Sequence, residues 1–143
     1  MFSPSREDAR QGFFETWRKY QAHEPVAGIE GMLLEVILQH PEYHDLLSKP
    51  DQYQDRDYAP EHGETNPFLH MSMHLALNEQ LSIDQPPGIR ERHRTLLAQC
   101  GGAHDAQHAM LECLAEEIWH VQRHRVAFDA KRYLGCIDRK SRE

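Results

Sequence analysis

Apolar side chains recur along this chain every three or four residues, which is the spacing of one α-helix face. No stretch combines alternating β-branched residues with the turn residues that join two β-strands. The pattern therefore predicts an all-α fold, a single-domain helical bundle of about five helices over residues 1–143. The predicted helices cover residues 6–21, 27–40, 67–83, 88–100 and 103–128.

Proline and polar residues set the predicted limits of the second and third helices. Pro41 ends or kinks the second helix, because its ring removes an N–H donor and clashes with the preceding turn. Asn66 is a good N-cap for the third helix, with Pro67 at its first position. The polar residues 48–66 between these helices predict a long loop, which in a compact domain is usually a functional cover or a disordered segment.

The charge of the chain excludes a general nucleic-acid binder. Asp and Glu number 23 against 16 Lys and Arg, a net charge of −7, whereas phosphate contacts need a cationic surface. An acidic surface suits a basic protein partner, and a homo-oligomer is equally compatible with the sequence.

Hydrophobicity predicts no membrane association and a cytoplasmic location. No apolar run approaches the roughly 18–20 residues that span a bilayer. The first residues also lack the basic and apolar regions of a signal peptide.

The three cysteines, Cys100, Cys113 and Cys136, are odd in number and have no Cys-x-x-Cys spacing. This pattern predicts neither a disulfide framework nor a cysteine-rich zinc site.

Histidine is the residue with the unusual count, eleven in 143 residues. Eight of them form four His-x-x-x-His pairs, in which two imidazoles lie one turn apart on one helix face and can bind one metal ion or two adjacent ions. The pairs are His40/His44, His70/His74, His104/His108 and His120/His124.

Three predicted helices, the second, third and fifth, turn histidines toward apolar side chains, and on the fifth His104 and His108 lie on the flank of the apolar arc. His70 and His74 share a face with Leu77, and His40 lies on the apolar face of its own helix. His44 joins that face if the helix continues past Pro41. The predicted metal ligands are His40, His44, His70, His74, His108 and Glu112, with His104 in reserve.

Buried imidazoles without partners would each lose hydrogen bonds to water, which costs roughly 1–3 kcal/mol. A transition metal such as iron or zinc satisfies them, since imidazole with carboxylate suits these ions. Alternatively, each ring forms a hydrogen bond to a backbone carbonyl, a Tyr or a Glu. The protein would then be a non-enzymatic interaction domain with a structural histidine network.

No pattern identifies a reaction, and Glu79, His93 and His104 receive no definite role. Trp119 flanks the apolar arc of the fifth helix, which favours core packing for its ring.

Five segments together carry a family resemblance: His40–His44, Asn66–His70, Glu79–Asp84, Pro86–Arg90 and His108–Leu114. They resemble an uncharacterised proteobacterial family, domain-of-unknown-function family 1841. The resemblance covers most of the chain, and Asn-Pro-Phe-Leu-His is its most specific part. It implies a small bacterial protein of about this length and brings no activity, substrate or cofactor.

A looser likeness is to hemerythrin-like bundles. His70/His74 is similar to their His-x-x-x-His helix, and His108/Glu112 to their His-x-x-x-Glu helix. The likeness implies a di-iron site that senses or activates dioxygen, with inward histidines and carboxylates as ligands. Ferritin-like proteins instead need two Glu-x-x-His helices, and this spacing occurs here at Glu117/His120, which faces away from the predicted core.

Overall fold

The computed structural model describes residues 6–56, 58 and 66–142. Within this part the chain is helical and contains no β-strand, so the all-α prediction is confirmed. The described residues form eight α-helices and a 3₁₀ turn, which corrects the predicted count of about five. In order, they are α1 (Arg6–Gln21), α2 (Ile29–Leu38), the 3₁₀ turn (Pro41–Tyr43), α3 (His44–Leu47), α4 (Pro50–Tyr53), α5 (Pro67–Ile83), α6 (Ile89–Gln99), α7 (Ala103–His124) and α8 (Ala130–Lys140).

The chain divides into two compact units, and the boundary falls within α5. The first unit is Met1–Leu75 and the second is Ala76–Glu143. A single domain stays a prediction. Across the described helices, none has the length and apolar character that a membrane crossing requires.

Aromatic side chains of α1 form the centre of the first unit. Phe13, Phe14 and Trp17 are each at most 6% exposed. Full burial of such a side chain contributes roughly 1.5–3 kcal/mol to stability. They belong to one buried cluster with Leu33, Val36 and Ile37 of α2, Leu47 of α3, and Phe68 and Met71 of α5.

The segment predicted as a long loop, residues 48–66, is partly helical. Residues 50–53 form α4, so the prediction is wrong there, while residues 57 and 59–65 lie outside the described part of the chain. Just before α4, Ser48 accepts a hydrogen bond of 3.0 Å from the indole Nε1 of Trp17.

A buried arginine holds the end of α4. Arg10 is 1% exposed, and its Nη1 donates to the carbonyl oxygens of Tyr53, Gln54 and Arg56 at 3.3, 3.0 and 2.6 Å. Its guanidinium also lies 4.7 Å from the ring centre of Phe68. The carbonyls at the end of a helix lack partners within it, so Arg10 satisfies groups that would otherwise need water. Its partners are 43–46 residues away, so local sequence pattern carries no sign of the contact.

The start of α5 confirms the predicted cap. The Oδ1 atom of Asn66 accepts hydrogen bonds from the backbone N–H groups of Phe68 and Leu69, at 3.0 and 3.1 Å. Pro67 occupies the first helical position, where its missing N–H has no cost.

The helix α8 is absent from the sequence prediction, which carries α7 on to residue 128. α7 instead ends at His124, because Arg125 adopts a left-handed backbone with φ +52°. Asp129 caps the next helix, since its carboxylate accepts hydrogen bonds from the N–H groups of Lys131 and Arg132. The buried residues of α8 lie on one face: Tyr133, Cys136 and Ile137.

Two expectations for α7 are wrong, and the first is wrong because α8 covers one side of α7. Glu117, expected to face away from the core, is 2% exposed. Its carboxylate accepts hydrogen bonds from the Arg132 guanidinium at 2.7 and 2.8 Å and from the Asp129 N–H at 2.9 Å. Trp119, expected in the core, is 59% exposed.

A disulfide joins α7 to α8 between Cys113 and Cys136, 23 residues apart. The sequence predicts no disulfide framework from an odd cysteine count. That expectation is wrong for this pair, because α8 brings Cys136 against α7. Cys100 is free and partly exposed.

Glu117→Gln should lower the free energy of unfolding at pH 7 by about 2 kcal/mol, since hydrogen bonds to charged groups contribute roughly 1.5–3 kcal/mol. The hydrogen bond from Arg132 lowers the pKa of Glu117 below its ordinary value of 4.5, against the opposing effect of burial. A carboxyl with a lowered folded pKa stabilises the protein above its unfolded pKa, and this stabilisation is lost as the pH falls through the folded pKa. Urea unfolding between neutral pH and pH values below 4.5 measures both effects.

The matched control is Glu91→Gln, which should leave the free energy of unfolding nearly unchanged because Glu91 is exposed on α6. Below pH 4.5, the wild type should lose more stability than Glu117→Gln. Parallel stability curves for those two proteins across this range would contradict the assignment.

Candidate metal centre

Three histidines of the first unit lie together. His40 follows the end of α2, and His70 and His74 are one turn apart on α5. One ring nitrogen from each lies within 4.8 Å of the other two. His40 and His74 are each 1% exposed, which confirms their predicted burial, and His70 is half-buried. We call these three residues the histidine triad.

The backbone around Pro41 turns the His40 side chain back over α2. His40 leaves the helix with φ −127° and ψ 66°, and Pro41 then starts the 3₁₀ turn. In this conformation the His40 Nδ1 lies 2.8 Å from the backbone carbonyl oxygen of Val36.

This contact sets the tautomer of the His40 ring. A carbonyl oxygen can only accept, so Nδ1 carries the proton and donates it to Val36. In the neutral ring, Nε2 then carries a lone pair. A hydrogen bond from the second ring nitrogen to a carbonyl is the usual support of a metal-binding histidine.

The two histidines of α5 contact each other directly. The Nε2 atoms of His70 and His74 are 3.2 Å apart. In the hydrogen-bonded pair one ring donates and the other accepts. In a tetrahedral zinc site with Zn–N bonds of about 2.0–2.1 Å, two ligand nitrogens lie about 3.3 Å apart. The pair is therefore already at the separation that one shared ion requires.

Tyr43 covers one side of the triad. Its ring stacks on His40 at 5.5 Å between ring centres, with an interplanar angle of 10°. Its ring centre is also 6.4 Å from that of His70. Burial raises the pKa of Tyr43, so its hydroxyl stays protonated at neutral pH.

His44, another predicted ligand, does not join the triad. Its Nε2 donates to the carbonyl oxygen of Ile37 at 2.8 Å, and its ring stacks on Trp17 at 4.3 Å. The 3₁₀ turn at Pro41–Tyr43 interrupts the helical register between His40 and His44, so their spacing no longer places them on one face.

His108 and Glu112 lie on α7 in the second unit. The His108 ring centre is 4.0 Å from that of His104. Glu112 is exposed and forms an ion pair with Lys140 of α8. Their roles as metal ligands stay predictions.

His93, which received no role from the sequence, lies on α6. Its Nε2 is buried and has no hydrogen-bond partner among the described residues. Burial lowers the pKa of its ring. His93 is therefore a neutral side chain packed into the second unit at neutral pH.

Sequence reasoning missed Tyr43 and the Val36 carbonyl as parts of the site. The spacing His40-x-x-Tyr43 was the available signal for the first, since residues three apart in a helical turn are neighbours. A backbone carbonyl leaves no signal in a sequence.

Comparison with known proteins identifies one family and no function. Residues 5–139 match the family described as "Domain of unknown function (DUF1841)". Neither the curated proteins nor the solved structures gave a match. The hemerythrin likeness and the proteobacterial origin stay predictions.

The neutral His40 ring should be in the Nδ1–H tautomer, because its Nδ1 donates to the Val36 carbonyl. Long-range ¹H–¹⁵N correlation spectra of metal-free protein at alkaline pH measure this directly, with exposed His23 as the control. Finding the Nε2–H tautomer at His40 would contradict the hydrogen bond to Val36.

Proposed function

The chain belongs to this family of unknown function, and we propose that it binds one transition-metal ion through His40, His70 and His74. The observation that carries the proposal is the position of three imidazole nitrogens within 4.8 Å of one another. His40 and His74 are fully enclosed by protein, so their rings are held in place more firmly than those of a histidine pair on the surface.

The ligand geometry needs little rearrangement. His70 and His74 already hold their Nε2 atoms at the separation of two ligands on one ion. Bringing the His40 nitrogen to the same separation requires a movement of about 1.5 Å or less, given about 3.3 Å between ligand nitrogens. The hydrogen bond from His40 Nδ1 to the Val36 carbonyl oxygen orients the His40 ring for this movement.

The chemistry of the ligands favours zinc. Among the described residues the group consists of three imidazoles with no carboxylate or thiolate, and imidazole suits zinc, copper, nickel and iron. A di-iron pair instead depends on several carboxylates. Three protein ligands leave a fourth position open, and a zinc ion bound this way supplies a Lewis acid that activates water.

The alternative function, an interaction domain with a structural histidine network, also has a specific observation in its favour. The His70–His74 hydrogen bond gives the Nε2 atom of each of these two rings a partner without an ion. The two readings differ in what a triad substitution changes. A structural network predicts lost stability only, whereas a metal centre predicts lost metal.

Elemental analysis of untagged full-length protein tests the proposal. The protein is purified without added metal, offered zinc or iron, and freed of weakly bound ions. We expect one ion per chain in the wild type. His70→Gln should lower the affinity by more than the roughly 10–100-fold that supporting residues contribute, because it removes a direct ligand.

His70 is the best position for this substitution, because it is half-buried and its change disturbs the core least. His23→Gln and His124→Gln are the controls, since both rings are exposed and distant in sequence from the triad. Circular dichroism verifies folding. A folded wild type that takes up no ion, or a folded His70→Gln that keeps full occupancy and affinity, would rule the metal centre out.

A further inference from the structure

A cleft on the second unit reaches the disulfide from one side. Its lining includes Cys113, Glu116, Trp119 and Arg139, but not Cys136. Cys113 is 1% exposed and Cys136 is 6% exposed, so neither sulfur is open to a bulky protein thiol. A small molecule inside the cleft meets Cys113, because Cys113 is the cysteine that lines it.

Two arginines line the cleft, and they differ in their ion pairs among the described residues. Arg132 is engaged by Glu117 and Asp129. Arg139 is exposed and takes part in no ion pair within residues 6–56, 58 and 66–142. A carboxylate is the natural partner of a guanidinium.

Trp119 adds an apolar surface to the same cleft. Trp119 is 59% exposed although it lies on the same helix as the buried Cys113. An exposed indole that lines the same cleft as the Arg139 guanidinium suits a ligand that has both an anionic and an uncharged organic part.

We propose that this cleft admits a small thiol bearing a carboxylate, and that the thiol exchanges with the Cys113–Cys136 disulfide. In the first step the ligand thiolate attacks Cys113 Sγ and forms a mixed disulfide. The Cys113–Cys136 bond breaks, and Cys136 leaves with the bonding electron pair and takes a proton from water. A second thiol then releases Cys113, so that two ligand thiols are oxidised to one disulfide and the protein disulfide is reduced to two thiols.

Glu116 sets the direction of the attack. Its Oε2 lies 3.5 Å from Cys136 Sγ. The carboxylate repels an incoming thiolate from Cys136, and it disfavours a thiolate on Cys136 when that sulfur leaves. Once Cys136 is a protonated thiol, it can donate a hydrogen bond to the same oxygen. Glu116 therefore directs attack to Cys113 and slows the exchange.

Exchange kinetics with two thiols test the proposal in full-length Cys100→Ser protein, where the free cysteine cannot react. The probes are reduced glutathione, which carries carboxylates, and uncharged 2-mercaptoethanol. Peptide mass spectrometry should locate the first adduct on Cys113. Arg139→Gln should slow the reaction with glutathione by about threefold to tenfold and leave 2-mercaptoethanol unaffected, since only the anionic thiol gains from the cation.

Two further variants sharpen the test. Glu116→Gln should speed the exchange with both thiols, because Cys136 then becomes a better leaving group. Lys131→Gln, at an exposed cation of α8 outside the cleft, should change neither rate. Equal glutathione rates in wild type and Arg139→Gln, an adduct on Cys136, or rates independent of thiol concentration and equal to the unfolding rate would each overturn the proposal.

Discussion

The two hydrogen bonds that Asn66 accepts fix where α5 starts, and the histidine triad depends on which face of that helix is buried. With the helix started at Pro67, Phe68, Met71 and His74 follow one another on the buried face. Phe68 packs beneath the Arg10 guanidinium, which anchors this face in the first unit. If the sequence were shifted by one residue along this helix, each of these side chains would rotate by about 100°.

The histidine triad depends both on local residue spacing, which can be recognised in a sequence, and on tertiary packing, which cannot. The i,i+4 spacing of His70 and His74 and the cap at Asn66 are local, so both were predictable from the chain alone. The burial of His40 also follows from the apolar face of α2. That His40 reaches these two rings while His44 stacks on Trp17 depends on the 3₁₀ turn and on tertiary packing. Residue spacing cannot distinguish these two histidines.

In the second unit, missing the one helix α8 makes the expectations for several other residues wrong. Asp129 and the spacing of Tyr133, Cys136 and Ile137 were a readable signal for α8, but the apolar pattern of α7 had been carried through Arg125. Without α8, Glu117 looks solvated and Cys136 has no partner. With α8 in position, Glu117 binds Arg132 and Cys113 pairs with Cys136. A non-glycine residue in the left-handed region, as at Arg125, is rarely foreseeable from sequence.

An anomalous difference map from crystals grown with zinc tests most directly whether His40, His70 and His74 bind one ion. We predict one dominant peak at the zinc absorption edge, about 2.0–2.1 Å from a ring nitrogen of each of these three residues, with Nε2 as the ligand atom of His40. A map with no peak among the three imidazoles, or with its dominant peak at the surface pair His120 and His124, would contradict the account.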